Sequence, residues 1–318
     1  MIKIVNFKIN KARLIAFLAV LLFFLNLGVG FAQNQDKTEK PKLVVLIVID
    51  AFRYDYLTRF NEHFGEKGFN YFLSNGAIYN NAHVTHFRTV TAPGHATMLT
   101  GSSGAINGII ENKWWDRTLK KNISCVGDSS VSLFTGNDSD IDKKADGTSP
   151  MNLSGSTVGD ELKLVSNFKS KVIGISMKDR GAILPAGKLA DAAYWYNTTN
   201  GNFISSSYYF KELPLWVQNF NKKGIPAKYF DKKWGRLLNE KAYSNLRIDN
   251  YEHELDMYGL GKTFPHPIGS TGKLDKSFYK SFGYTPYSDE VLSELAKSAI
   301  IGENLGGDAT TDLLTISF

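Results

Sequence analysis

The sequence is poor in cysteine, in basic runs and in long apolar stretches, and each shortage excludes a class of protein. Cys125 is the only cysteine among 318 residues, which excludes an internal disulfide, and we interpret it as a small buried residue. Lysine and arginine exceed the acids by 6, but residues 1–32 alone hold four of these cations and no acid. The rest of the chain has no basic run, so nothing indicates a nucleic-acid-binding surface.

The residues that are abundant indicate a folded protein. Hydrophobic residues make up 43% and charged residues 21% of the chain, a balance that excludes a disordered or collagen-like protein. The length suits one large domain or two small ones with a substantial buried core.

Residues 1–32 have the three parts of a secretory signal peptide. Four cationic side chains precede the apolar run 14–29, and Gly30-Phe31-Ala32 places small residues where a signal peptidase cleaves. The alternative is a membrane anchor, which needs about 20 apolar residues, more than this run contains. We therefore predict cleavage after Ala32, a polar tail over 33–41, and export to the periplasm or the medium.

Three apolar runs predict the strands of a mainly parallel sheet. Leu43–Ile49, Val172–Met177 and Leu313–Phe318 are almost continuous aliphatic runs, a pattern typical of strands buried on both faces. Strands of this kind belong to α/β proteins, in which helices cover both faces of the sheet.

Two amphipathic helices are predicted between these strands, over 156–168 and 289–301. The first opens with Thr157 and Asp160 at the spacing of a capping box. Its predicted apolar face consists of Val158, Leu162 and Val165. Because helices alternate with buried strands, the sequence predicts an α/β fold.

Changes in composition divide the mature chain into three segments. We predict the N-terminal part of an α/β core over 42–185, an inserted aromatic-rich cap over 186–287, and a return to the core over 288–318. Within the predicted cap, Asn200-Gly201 is typical of a hairpin turn, and Trp234–Leu238 of a short helix.

Two polar residues stand where such a fold collects ligands. Ligands of open α/β sheets gather at the carboxyl ends of strands, and Asp50 follows the first predicted strand. Pro93 fits the first turn of a helix, so Thr91 lies near the start of a helix that runs toward Thr100, where backbone N–H groups favour an anion. Taken singly, Asp50 is at least as well explained as a turn or cap residue, and Thr91 is better explained as a cap. A cation held by Asp50 against the Thr91 hydroxyl would make that hydroxyl a nucleophile.

Four segments, in this order, resemble the alkaline phosphatase superfamily, and in particular its secreted bacterial branch related to type I phosphodiesterases and nucleotide pyrophosphatases. They read VVLIVIDAFRYDYL, THFRTVTAPGHATMLTG, GAINGIIENKWWD and ISMKDRGAILPAG. The resemblance extends over 42–318 and implies an α/β/α core with a mainly parallel sheet and an inserted cap. It also implies zinc-dependent hydrolysis of phosphate monoesters through a phosphorylated threonine.

The resemblance carries functional roles to five positions. Asp50 matches a zinc ligand, and Thr91 matches the nucleophile, which also coordinates zinc. Asn112 matches an amide donor to a phosphate oxygen, and Lys178 and Arg180 match a cationic pair that holds the phosphoryl group. A monoester dianion has more charge to neutralise than a diester, so such a pair favours monoesters.

The same resemblance implies two zinc ions, whose other Asp and His ligands follow the strand that matches Leu313–Phe318. This sequence ends at Phe318, before any of them, so we expect a C-terminally incomplete chain that is inactive or nearly so. Among its six histidines, His253 lies four residues after Asp249, a spacing that suits two ligands on one helical face, but within the predicted cap.

Two other functions stay open at this point. One is a phosphodiesterase or nucleotide pyrophosphatase of the same superfamily, and the other is a non-catalytic relative that binds a phosphorylated ligand. A sulfatase is disfavoured, because those relatives use a modified Cys or Ser and Cys125 is not at the nucleophile position. We expect a small-molecule phosphate ester as the substrate, no nucleic acid, and no membrane association after signal cleavage; the oligomeric state stays open.

Overall fold

The computed structural model describes residues 39–134, 141–142, 147–269 and 272–318. The predicted signal peptide, residues 1–32, lies outside the described residues. Within the part of the chain that is described, no helix combines the length and the apolar character needed to cross a membrane.

The strands and helices of the described residues are numbered in chain order. The strands are β1 (Leu43–Val48), β2 (Lys113–Asp116), β3 (Lys121–Ser124), β4 (Gly127–Asp128), β5 (Leu133–Phe134), β6 (Ile141–Asp142), β7 (Gly147–Thr148), β8 (Val172–Ser176), β9 (Ala192–Tyr196), β10 (Phe203–Ile204), β11 (Lys233–Trp234), β12 (His266–Pro267) and β13 (Asp312–Ser317). The α-helices are α1 (Tyr56–Arg59), α2 (Phe69–Asn75), α3 (Thr91–Thr100), α4 (Gly104–Asn107), α5 (Val158–Val165), α6 (Asp179–Ala186), α7 (Leu215–Lys222), α8 (Lys276–Phe282) and α9 (Pro286–Gly302). Short 3₁₀ turns cover Asn61–His63, Pro226–Tyr229 and Glu240–Tyr243.

The largest sheet has five strands in the order β1-β13-β8-β9-β10. The first four run parallel to one another, and only β10 is antiparallel. The predicted α/β class with a mainly parallel sheet is therefore confirmed. The structure differs from the predicted division of the chain at β9 and β10, because these strands join the central sheet although they fall within the segment 186–287 that was predicted as a cap.

Side chains on the central strands alternate between two cores. Ile173 and Tyr194 pack with α8 and α9 on one face of the sheet, whereas Trp195 packs with α3 and α6 on the other. Gly174 lies against α6, where an added Cβ would stand 2.0 Å from the Ala182 carbonyl oxygen. This glycine lets α6 pack directly on the strand backbone, which brings the start of that helix to the carboxyl edge of the sheet.

Helix α5 forms as predicted but buries another face. Its capping box between Thr157 and Asp160 is present. The predicted apolar face is wrong, since Val158 and Val165 are 60% and 80% exposed. The helix instead buries Lys163, whose ammonium pairs with Asp191 at 2.6 Å. The apolar spacing identified the helix correctly, but the side that faces the core carries Asp160 and Lys163, and Lys163 is half of a partly buried ion pair.

Three other local predictions have mixed outcomes. The predicted helix 289–301 is confirmed as α9, with its apolar face buried. The predicted helix at Trp234–Leu238 is wrong, because Lys233 and Trp234 form β11 and pair with β12. Cys125 is buried as interpreted, and burial raises the pKa of its thiol to about 12.

Strand β1 lies at the edge of the sheet and is poorly covered. Val44, Val45 and Ile47 are 41%, 42% and 48% exposed, so the prediction that this strand is buried on both faces is wrong. The reason is its position, since β13 is its only neighbour among the described residues. An uncharged apolar edge of this kind is a template for pairing with another chain.

We expect the chain to associate through this edge, and a lysine on it to oppose association. Val45→Lys and Ile47→Lys should each increase the monomer fraction in sedimentation velocity, because a charged side chain blocks strand pairing at an edge. Ile301→Lys is the matched control, since Ile301 is 82% exposed but lies on α9, outside the sheet. A wild-type chain that is monomeric throughout, or an equal effect of Ile301→Lys, would contradict this expectation.

Candidate active site

Polar side chains gather at the carboxyl edge of the central sheet. Asp50 follows β1, Ser317 ends β13, and Lys178 follows β8. The register pairs Val48 with Ser317 and Ser317 with Ser176, so the three parallel strands end at the same level. Crossover connections leave this edge open to ligands in α/β folds.

Asp50 is the centre of a small hydrogen-bonded group. Its Oδ2 accepts hydrogen bonds from the Thr91 hydroxyl at 2.8 Å and from the Lys178 ammonium at 2.8 Å. Its backbone N–H donates to the carbonyl of Phe318 at 3.1 Å, which ties it to the end of β13. Three of the residues predicted from the resemblance are thus in direct contact.

The Asp50 carboxylate is stabilised in its ionised form. Partial burial by itself raises the pKa of this carboxyl, but the hydrogen bonds from Lys178 and Thr91 outweigh burial and hold the pKa below its usual value. Asp50 therefore carries a full negative charge at neutral pH and can hold a cation.

Thr91 opens helix α3, which runs to Thr100 as predicted. Pro93 lies in the first turn, and Thr91 itself is 8% exposed. The N-cap residue is Val90, whose apolar side chain makes no cap hydrogen bond, and the Thr91 hydroxyl donates to Asp50 instead of bonding to the first turn. The alternative in which Thr91 is only a cap residue does not describe this geometry.

Asn112 is held against the same helix start. Its Oδ1 accepts the backbone N–H of Ala92 at 2.9 Å, and its own backbone N–H donates to Glu111 Oε1 at 2.9 Å. Glu111 also pairs with Arg88, which precedes α3. With Oδ1 engaged in this way, the Nδ2 amide of Asn112 makes no hydrogen bond among the described residues and can donate to a ligand.

Arg180 lies in the first turn of α6, two residues beyond Lys178. Its guanidinium approaches Asp179 Oδ1 at 3.6 Å. The Nε atom is buried and has no hydrogen-bond partner among the residues the structure describes. A buried N–H donor without an acceptor is costly, so an incoming anion near this group would be favoured.

His95 is a residue of this site that sequence reasoning did not include. It is 2% exposed, its Nδ1 lies 2.7 Å from the Thr91 carbonyl oxygen, and its Nε2 lies 2.7 Å from the Ser317 hydroxyl. Burial is the main cause that lowers its pKa, which favours the neutral ring. The available signal was its position four residues after Thr91, which places both residues on one helical face. His95 thus connects the first turn of α3 to the end of β13.

The described residues offer only part of a metal site. They contain no group of three or more His, Cys, Asp or Glu side chains that could hold a metal ion. The Asp249 and His253 pair does not form a site, since Asp249 contacts Arg236 at 3.5 Å and His253 contacts Glu252 at 3.2 Å. At the carboxyl edge of the central sheet, Asp50 and Thr91 supply two oxygen donors that lie together.

A family model and individual relatives both match this chain over most of its length. The model of the family "Type I phosphodiesterase / nucleotide pyrophosphatase" matches residues 44–291. The chain is 39% identical over 290 residues to alkaline phosphatase PafA of Elizabethkingia meningoseptica, which is 91% of this chain and 52% of that protein. It is 41% identical over 279 residues to alkaline phosphatase PhoV of Synechococcus elongatus, 87% of this chain and 49% of that protein. The chain spans about half the length of the curated relatives it matches.

Solved structures agree with these matches. The crystal structure of wild-type PafA superposes with a TM-score of 0.81 at 39% identity, covering 89% of this chain and 53% of that chain. The crystal structure of a PafA variant also superposes with a TM-score of 0.81, and this variant carries substitutions at a threonine, an asparagine, a lysine and an arginine. The spacing within the Thr/Asn and Lys/Arg pairs of that variant equals the spacing of Thr91–Asn112 and Lys178–Arg180 here. On the extent of these matches, the chain belongs to the type I phosphodiesterase/nucleotide pyrophosphatase family, within the alkaline phosphatase superfamily.

Proposed function

We propose that this chain provides the nucleophile and the phosphate-binding groups of an alkaline phosphatase-type phosphomonoesterase. The main support is the hydrogen bond between the Thr91 hydroxyl and Asp50, next to Lys178, at the carboxyl edge of a parallel sheet. The relatives named alkaline phosphatase support the same class of reaction. Export to the periplasm or the medium, after removal of residues 1–32, is part of this proposal.

In the proposed reaction, Thr91 attacks the phosphorus of a phosphate monoester. A bond forms between Thr91 Oγ and phosphorus as the bond from phosphorus to the leaving oxygen breaks; the hydroxyl proton passes to water, and the leaving oxygen takes a proton from water and departs as the alcohol. Water then hydrolyses the phospho-threonine and releases inorganic phosphate. Asp50 orients the hydroxyl through its hydrogen bond, and the N-terminus of α3 favours the negative charge of the phosphoryl group.

Asn112, Lys178 and Arg180 are proposed to hold the phosphoryl oxygens. The Asn112 amide is oriented by the contact of its Oδ1 with the backbone of α3, and the unpartnered Nε of Arg180 requires an acceptor. The matching Thr, Asn, Lys and Arg of the PafA variant support this set of residue types. Charged donors that are fixed before the substrate arrives stabilise the charge of the transition state.

Asp50 and Thr91 are suited to supply two of the ligands of a zinc ion. Their oxygens lie 2.8 Å apart, and the Lys178 ammonium on Asp50 marks a position that already accepts a cation. Zinc usually takes four ligands, so we propose that the others, and those of a second zinc ion, come from segments outside this sequence. A bound zinc ion would lower the pKa of the Thr91 hydroxyl. We expect the chain alone to have little activity for this reason.

A second candidate is a phosphodiesterase or nucleotide pyrophosphatase, which the description of the matching family favours. Phosphodiesters carry one negative charge fewer at the reacting phosphate than monoester dianions. The presence of both Lys178 and Arg180 at the sheet edge favours the monoester.

The nucleophile can be tested by covalent trapping. We suggest a chimaera of residues 33–318 with the part of Elizabethkingia PafA that this chain does not cover, treated with a ³²P-labelled monoester and quenched in acid. The peptide containing Thr91 should carry the label in the wild type and in Thr91→Ser. Thr91→Val, which keeps the shape without the hydroxyl, should lose the label and about 10³-fold or more of the turnover. Rapid turnover with an unlabelled peptide would contradict the proposed intermediate.

The preference for monoesters can be tested with the same chimaera. Lys178→Ala and Arg180→Ala should each lower kcat/KM for p-nitrophenyl phosphate by about 10- to 100-fold, because each removes a charged hydrogen bond. The rate with bis-p-nitrophenyl phosphate should change much less. Lys188→Ala is the control, since Lys188 is exposed and follows the opposite end of α6. If the diester is hydrolysed faster than the monoester, and if the variant with both Lys178→Ala and Arg180→Ala hydrolyses the diester at the wild-type rate, the function is phosphodiester hydrolysis.

A further inference from the structure

Lys178 has two anionic partners in the proposed function, and the structure shows it on one of them. Its ammonium donates to Asp50 Oδ2 at 2.8 Å, and the Thr91 hydroxyl donates to the same oxygen at 2.8 Å. Arg180, the other cation of the proposed pair, approaches Asp179 instead. Lys178 therefore occupies Oδ2, the oxygen that faces the Thr91 hydroxyl and that a cation shared by Asp50 and Thr91 would take, whereas Oδ1 accepts the Ala51 N–H.

A lysine ammonium and a divalent cation cannot both lie against one carboxylate oxygen. Their like charges repel at that separation, and the repulsion is strong where water is partly excluded. The side chains of Asp50 and Lys178 are 25% and 46% exposed, so Lys178 has room to swing away on its flexible stem. Once displaced, its charge is available to a phosphate at the same sheet edge.

We infer that Lys178 and a divalent cation compete for Asp50, and that cation binding releases Lys178 to hold phosphate. This inference rests on the proposed function, since it takes the metal role of Asp50 and the phosphate role of Lys178 from there. Phosphate should likewise draw Lys178 away from Asp50 and strengthen cation binding. By thermodynamic linkage, the two ligands then raise each other's affinity by the same factor. The coupling depends on Lys178 and not on Arg180.

The competition can be measured without any enzymatic activity. The zinc affinity of the PafA chimaera described above is determined by competition with a fluorescent zinc chelator, with and without inorganic phosphate. Lys178→Met keeps the stem and removes the charge. Arg180→Met is the matched control, because it removes a charge from the same edge without removing a hydrogen bond to Asp50.

We expect Lys178→Met to bind zinc about two- to fivefold more tightly, which is the scale of a partly exposed ion pair. Arg180→Met should change zinc affinity by less than about twofold in 0.15 M salt, where more distant charges are screened. Phosphate should tighten zinc binding more in the wild type than in Lys178→Met, because phosphate attracts zinc in both proteins but draws Lys178 away from Asp50 only in the wild type. Asp50→Asn should abolish the zinc binding that these variants modulate.

Several results would overturn the inference. If Lys178→Met and Arg180→Met raised zinc affinity equally, the cause would be the loss of a positive charge near the site and not competition for one oxygen of Asp50. Zinc binding that is unchanged in Asp50→Asn would remove the metal role of Asp50, and the proposed function would fail with it. If zinc affinity falls in Asp50→Asn but is unchanged in Lys178→Met, the competition between Lys178 and zinc is overturned while the proposed function stands. If Lys178→Met does not fold, as judged by circular dichroism, a wild-type zinc affinity that phosphate leaves unchanged would also overturn it.

Discussion

The site depends on one carboxylate that stays ionised although it is partly buried. Burial works against the charge on Asp50, and the hydrogen bonds from Lys178 and Thr91 more than offset it. The same two hydrogen bonds orient the hydroxyl that is proposed to react and hold a cation at the carboxylate. If Asp50 were neutral, neither the position of Thr91 nor the position of Lys178 would have an electrostatic cause.

The surrounding fold fixes where this carboxylate stands. Asp50 is tied to the end of β13 through the Phe318 carbonyl, and His95 ties the first turn of α3 to the same strand through Ser317. The end of β13 thus holds both residues, Asp50 by a direct backbone hydrogen bond and Thr91 through His95. Because β13 lies between β1 and β8, it also sets the distance from Asp50 to Lys178.

The sequence was informative where local pattern decides structure, and uninformative where packing decides it. Aliphatic runs identified the parallel strands β1, β8 and β13 but not the parallel strand β9, whose sequence AAYWY is no aliphatic run. The motif context identified Asp50 and Thr91, which the structure brings within hydrogen-bonding distance. The exposure of Val45 could not be predicted, because an aliphatic run has the same composition at the centre of a sheet as at its edge. The spacing of His95 from Thr91 is a local signal for one helical face, but the contact of His95 with Ser317, more than two hundred residues later in the chain, has no local signal.

The central claim is that the Asp50 carboxylate and the Thr91 hydroxyl share one cation. Crystals of the PafA chimaera soaked in zinc and measured at the zinc absorption edge test it most directly. An anomalous peak within about 2.2 Å of an oxygen of each residue, with Lys178 moved away from Asp50, is the predicted result. Zinc bound only at other residues, such as His253, with the Asp50–Lys178 pair intact, would contradict it.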